Sequence, residues 1–272
     1  MLSAAVITGC CVWIASAQSA LTIENMRPTF GSPGPERTGA AQVVPGDVYY
    51  LSFDLKGVKV DSTGTGKVRL ETEASDATGN RVFRMDSGES VVVNALGGDG
   101  LHTHVRLELG QKTVPGKYKI KVIATDLGTK SSATKETDLE VLPPAFAIVR
   151  VSSGVDQGIS STGSVFGLGQ ALYLGFAVVG FENDAATKHP KLRFEMKVKQ
   201  NGSVVSTATQ VGEVNASQQE KVPAGSTMIP GRFLLPLSKA GVYTVEVTAT
   251  DLVNQKVAGP VSFQFHVVSP TK

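Results

Sequence analysis

Two stretches of the chain, GKYKIKVIATDL at 116–127 and GVYTVEVTATDL at 241–252, are nearly the same phrase, 125 residues apart (241 − 116). In the first, Tyr118, Ile120, Val122 and Ala124 fall on one side of a period-two alternation, with Lys117, Lys119 and Lys121 on the other. In the second, Tyr243, Val245, Val247 and Ala249 keep the apolar side, and Val242, Thr244 and Glu246 take the other. Alternation with one apolar face marks a half-buried β-strand. The repeated side is the one that faces a core, whereas the solvent side has drifted. Two copies that keep a fold without sharing a surface role would diverge in this way.

The likeness continues upstream. PGDVYYLSFDLKG (45–57) matches LGQALYLGFAVVG (168–180), and VRLETEA (68–74) matches LRFEMKV (192–198). Each copy ends alike, with Thr137, Leu139 and Val141 alternating before Pro143, and Val261, Phe263, Phe265 and Val267 before Pro270. Between turn signals, about seven or eight alternating runs recur per copy, and no stretch shows a 3.6-residue apolar period. Asn201-Gly202 is a strong two-residue hairpin signal, because a type I′ turn needs positive φ at both positions. Gly79-Asn80 occupies the comparable place in copy one. The 29 glycines and 13 prolines suit many short strands joined by turns.

Val114-Pro115-Gly116-Lys117-Tyr118 through Asp126, and Lys239-Ala240-Gly241-Val242-Tyr243 through Asp251, resemble the penultimate strand of bacterial immunoglobulin-like and fibronectin type III-like modules. The resemblance implies a tyrosine corner, in which the ring hydroxyl is tied to backbone a few residues upstream. The core Trp and disulfide of the antibody branch are absent from both copies. The expected fold is therefore all-β: two tandem immunoglobulin-like β-sandwich domains at 18–142 and 143–272, after a signal peptide at 1–17. Leu142-Pro143-Pro144-Ala145 is expected to be a short, stiff link, and Arg27–Gly46, rich in Pro and Gly, a long first loop.

The first residues, MLSAAVITGCCVWIASA, are uncharged and end in the small-x-small pattern of a signal-peptidase site, so cleavage is expected after Ala17. Ile7-Thr8-Gly9-Cys10 also resembles a lipobox, which makes lipid anchoring through Cys10 the less favoured alternative. Both cysteines and the single Trp lie in this segment, so the exported chain is expected to carry no disulfide and no membrane-spanning segment. A net charge of +2 with interspersed signs gives no nucleic-acid footprint.

Candidate sites are sparse. Asp126 and Asp251 sit in an Ala-x-Asp that cadherin modules use for calcium, but a turn-capping role is favoured because the linker supplies no carboxylates. His102 and His104 share one face of a strand, with Asp99 or Glu108 as further ligands of a metal, but exposed polar positions are favoured, because Leu101, Val105, Leu107 and Leu109 take the apolar face and copy two lacks the pair. No G-x-S-x-G, H-E-x-x-H or P-loop occurs, so no enzyme activity and no cofactor are expected. One asymmetry between the copies stands out. Tyr50, Ser52, Asp54 and Lys56 of copy one become Tyr173, Gly175, Ala177 and Val179 in copy two, giving a strand apolar on both faces. That outer face is expected to pack against the other domain, a second chain or a ligand. The expected role is cell-surface or periplasmic interaction, adhesion or scaffolding with another envelope or extracellular protein. The alternative is a carbohydrate-binding or accessory module of a secreted enzyme system, with a glycan as partner.

Overall fold

The computed structural model describes residues 20–39, 41–98, 100–159, 162–206, 209–214 and 222–269; the signal segment, Cys10 and Asp99 lie outside them. The first half forms β1 (Thr22–Thr29), β2 (Gln42–Val43), β3 (Val48–Lys56), β4 (Thr65–Asp76), β5 (Arg81–Val93), β6 (Gly100–Glu108), β7 (Gly116–Asp126) and β8 (Ser132–Val141). The second forms β9 (Ala147–Gly154), β10 (Val165–Gly167), β11 (Ala171–Val179), β12 (Leu192–Gln200), β13 (Ser203–Val204), β14 (Gln210–Val214), β15 (Met228–Pro236), β16 (Gly241–Asp251) and β17 (Val257–Val268). No helix occurs among the described residues. The fold is all-β.

Each half contributes two facing sheets. In the first, β1-β3-β6 faces β2-β8-β7-β4-β5; in the second, β15-β11-β9 faces β10-β17-β16-β12-β13, with β14 also on β12. The alternation fills the space between them. Ile120, Val122 and Ala124 are buried on one side of β7, and Val245, Val247 and Ala249 on the same side of β16. Asn201 and Gly202 turn the β12–β13 hairpin with φ of 51° and 80°, as the type I′ geometry requires. The comparable turn in copy one is longer: Asp76 Oδ1 accepts the N–H groups of Thr78 and Asn80, so an Asp-pinned loop replaces the two-residue turn.

Backbone detail repeats along with the pattern. Left-handed non-glycine residues recur at Asn25 and Arg150, and again at Lys130 and Gln255. Gly116 and Gly241 open β7 and β16 at φ of 151° and 152°, a region that L side chains rarely adopt. Both tyrosine corners form: the Tyr118 hydroxyl donates to Val114 O at 2.6 Å and the Tyr243 hydroxyl to Lys239 O at 3.1 Å.

Asp126 and Asp251 are fully buried and turned onto backbone. Asp126 Oδ2 accepts Lys59 N–H at 2.8 Å, while Oδ1 accepts Gly128 N–H at 2.8 Å and Thr129 N–H at 3.3 Å. Asp251 does the same with Glu182 N–H and Val253 N–H. Each carboxylate thus ties the last hairpin of its sandwich to the loop that follows β3 or β11. Burial pushes the Asp126 carboxyl up, but the N–H donors of Lys59, Gly128 and Thr129 outweigh it and hold the group below the ordinary carboxylate range.

Two outcomes follow for solution measurements. Asp126→Ala leaves three buried donors unpaired and should lower the unfolding free energy by about 1–3 kcal/mol in urea titrations. Because the native carboxyl titrates below its unfolded value, its contribution is complete above about pH 4 and is lost as pH falls through the lowered native value. Asp126→Asn should therefore give a shallower loss of stability below about pH 4 than the wild type.

Candidate functional site

The asymmetric face of β11 leads to the junction of the two sandwiches. Ala177 and Val179 are buried at 4% and 6% exposure, and form a small cluster with Val149. Val44, from the first half, packs against that cluster together with Ala147 and Met228. Gly46 approaches so closely that a Cβ there would lie 3.3 Å from Val179 Cγ1. Farther along the strand, Ile159 sits over Gly175, where an added Cβ would meet its Cδ1 at 2.6 Å. Tyr173 is half-buried, paired with Leu234 and Gly154. The chain itself therefore covers Ala177 and Val179, while Tyr173 and Gly175 stay partly exposed.

In copy one the matching positions are charged. Lys56 pairs with Glu24 across β1 and β3 at 3.1 Å, and Asp54 accepts the Asn25 side-chain amide at 2.8 Å. The exchange of Glu24, Asp54 and Lys56 for Val149, Ala177 and Val179 marks where one copy is docked and the other wet.

Polar contacts fix the docked pose. Between Val149 and Ser152 the pairing of β9 with β11 slips, and Arg150 in this bulge is left-handed at φ 55°. Its N–H donates to Asp47 Oδ1 of the first half at 2.7 Å. The same oxygen accepts Val48 N–H, and Oδ2 accepts Arg37 Nη1 and Nη2 at 3.0 and 2.9 Å. The Arg150 side chain reaches back, donating from Nε to Gly46 O and from Nη2 to Glu108 Oε1, each at 2.9 Å. The Arg37 guanidinium lies 4.6 Å over the ring of Phe30.

Phe30 is the least expected element. It belongs by sequence to the long first loop, yet it is buried in the core of the second sandwich, its ring 6.0 Å from that of Phe263. Gly31 lies beside it, and a Cβ there would clash with Thr162 at 2.8 Å. The stiff link is thus only part of the connection: the first loop carries an aromatic anchor across the expected boundary. Against the link, just after β11, Gly180 is needed because a Cβ at its φ of 71° would fall 2.2 Å from Ala145 O.

The histidine pair is placed as surface. His102 Nδ1 lies 3.0 Å from Asp54 Oδ1, and the His104 ring packs on Tyr50 at 5.7 Å between centroids. The Asn25 hydrogen bond, then that of His102, holds the Asp54 carboxyl below its ordinary range. Burial, then His102 and Arg106, lowers His104. Glu108 is drawn to Arg150 instead. Among the described residues, no group of three or more His, Cys, Asp or Glu side chains is arranged to hold a metal ion.

No protein-family model and no curated protein matches the chain. Among solved structures, it is similar to the C-terminal domain of the Streptococcus pyogenes antigen I/II-family protein AspA, at 11% identity and a TM-score of 0.30 over 92% of this chain and 99% of that one. The C-terminal domain of the Streptococcus agalactiae AgI/II polypeptide BspA gives 11% identity and a TM-score of 0.29 over 90% and 99%. Red sea bream transglutaminase gives 12% identity and a TM-score of 0.27 over 93% of this chain, which spans 31% of the transglutaminase. Likeness at this level carries nothing about activity.

Substitutions at the junction should separate its parts. Asp47→Ala strands the Arg37 guanidinium in a buried site and should destabilise the chain by about 3–5 kcal/mol. Arg150→Gly keeps the bulge N–H and suits the left-handed backbone, so its effect on urea unfolding should be much smaller. Phe30→Ala should lower the stability of the second sandwich by about 3–5 kcal/mol, read from amide exchange on β17.

Proposed function

We propose that the chain is an exported, non-enzymatic interaction module, whose two sandwiches are held as one unit that presents outer strands to another envelope or extracellular protein. The observation that carries this reading is the junction. An aromatic anchor, a buried carboxylate and a bulge N–H cross it together, a degree of fixation that a scaffold needs and a loose tandem array does not. Four acidic side chains are engaged in structural contacts. Asp126 and Asp251 hold backbone N–H groups, Asp47 holds Arg37 and Arg150, and Asp54 faces His102. Among the described residues, no helix is long and apolar enough to cross a membrane.

The outer strands suit a binding surface better than an open edge would. Along β4 and β5, Lys67 pairs with Glu89, Arg69 with Asp86 and Arg81 with Glu73. Charge ladders of this kind keep an exposed strand from pairing indiscriminately.

Native protein recovered from its source organism tests the reading. N-terminal sequencing should find a chain beginning at Gln18, and protease added to intact cells or to the released envelope fraction should reach it. A chain that keeps Met1 and stays in the cytosol contradicts export. Saturable binding on a glycan array, without a protein partner from the envelope, would move the chain to the carbohydrate-binding class.

A further inference from the structure

The two copies differ in how fully their sandwiches are filled. In the second, Tyr243 stacks on its ladder partner Phe265, with centroids 5.6 Å apart, and Phe166 meets Phe265 edge-on at 6.0 Å. In the first, the ladder partner of Tyr118 is Leu139, and the residue equivalent to Phe166 is Val43, each lying beside its terminal strand in the same register. Val198, opposite Val245, likewise becomes Ala74, opposite Ile120. Copy one thus carries smaller side chains at matching positions. Two of these positions, Ala74 and Leu139, lie with Leu107 and Ile120 in the buried floor of an open cleft of about 610 Å³, which Val43 does not reach. That size lies within the range of about 300–1,000 Å³ usual for small-molecule sites.

The mouth is built differently as well. Gly110–Pro115 leads to the tyrosine corner of copy one, where copy two has only Ser238–Ala240. This longer loop places Val114, 69% exposed, at a rim that also includes Phe83 of β5, which is 38% exposed. Four charged side chains line the cleft: Asp76, Glu108, Lys112 and Lys117. Asp76 is engaged by Thr78 and Asn80, and Glu108 by Arg106 and Arg150. Among the described residues, Lys112 and Lys117 have no ion-pair partner. The interior is therefore apolar, and the uncommitted charge at its edge is positive.

We infer that this cleft in the first sandwich binds one anionic amphiphile, with an unbranched apolar tail laid over the cleft floor between Phe83 and Val114 and the acidic head at Lys112 and Lys117. The tail removes apolar lining from water, and the head supplies the anion that the two lysines lack. The smaller side chains leave the width, and the longer loop forms the lip.

Titration calorimetry of the full chain with dodecanoate and with 1-dodecanol, both below micelle-forming concentrations, tests the site. Dodecanoate should bind saturably at one per chain. Ala74→Val combined with Leu139→Phe installs the side chains of copy two and should weaken binding by about tenfold or more, with the ligand-free thermal midpoint unchanged or raised. Lys112→Ser with Lys117→Ser, both on the surface, should weaken dodecanoate by about tenfold while leaving dodecanol unaffected. Absence of saturable binding, binding at several molecules per chain, or a folded cleft-filled variant that binds like the wild type each overturns the inference. If the filled variant fails to fold, unchanged dodecanoate affinity in the lysine variant overturns it alone.

Discussion

The Asp47 carboxylate accepts four hydrogen bonds, from Val48 N–H, from both terminal nitrogens of Arg37 and from the Arg150 N–H of the other sandwich. It is 4% exposed, so each of those bonds replaces water that the site does not admit. A buried ion pair contributes little to stability against an apolar substitute, but misplacing one partner is expensive. The pose of the two halves is therefore set by what any other pose would leave unpaired. Phe30 supplies the apolar attraction, and Asp47 with Arg37 and Arg150 supplies the orientation.

The backbone feature on the second half's side of the junction is present in both copies. The bulge at Arg150 exists in copy one as well, where Asn25 holds the same left-handed conformation and turns its amide onto Asp54. An N–H released from the ladder by a bulge has to be satisfied somewhere. In the second copy the neighbouring domain provides the acceptor. The acceptor has no counterpart on the far side, because the position matching Asp47 is Gln170, whose Oε1 takes Gly167 N–H locally. The contact is thus directional: the acceptor side of one copy meets the bulge side of the next.

Much of the architecture was legible in the sequence because burial at period two writes itself into composition. The inner faces of β7 and β16, the Asn201-Gly202 turn and the tyrosine corners all have local causes and lie within a few residues of their partners. The turn-capping of Asp126 and Asp251 was legible for the same reason. Phe30 was not. A single aromatic in a Pro- and Gly-rich loop has no periodicity, so nothing local says which core receives it. The apolar outer face at Ala177 and Val179 was visible, but its cover, Val44 and Gly46, sits more than a hundred residues upstream. Lining the two copies up one residue at a time gives the missing signal, since Glu24 aligns with Val149 as Asp54 aligns with Ala177. The smaller core side chains of copy one were open to the same comparison.

Amide hydrogen exchange at Arg150 addresses the locked junction most directly, because its N–H lies in a bulge and its acceptor lies in the other sandwich. If the halves form one unit, that amide should exchange as slowly as the central amides of β11 and β16, with an opening free energy close to that of global unfolding. Exchange at the rate of exposed loops, while both sets of core amides stay protected, would mean that the sandwiches part freely and that the lock does not hold in solution.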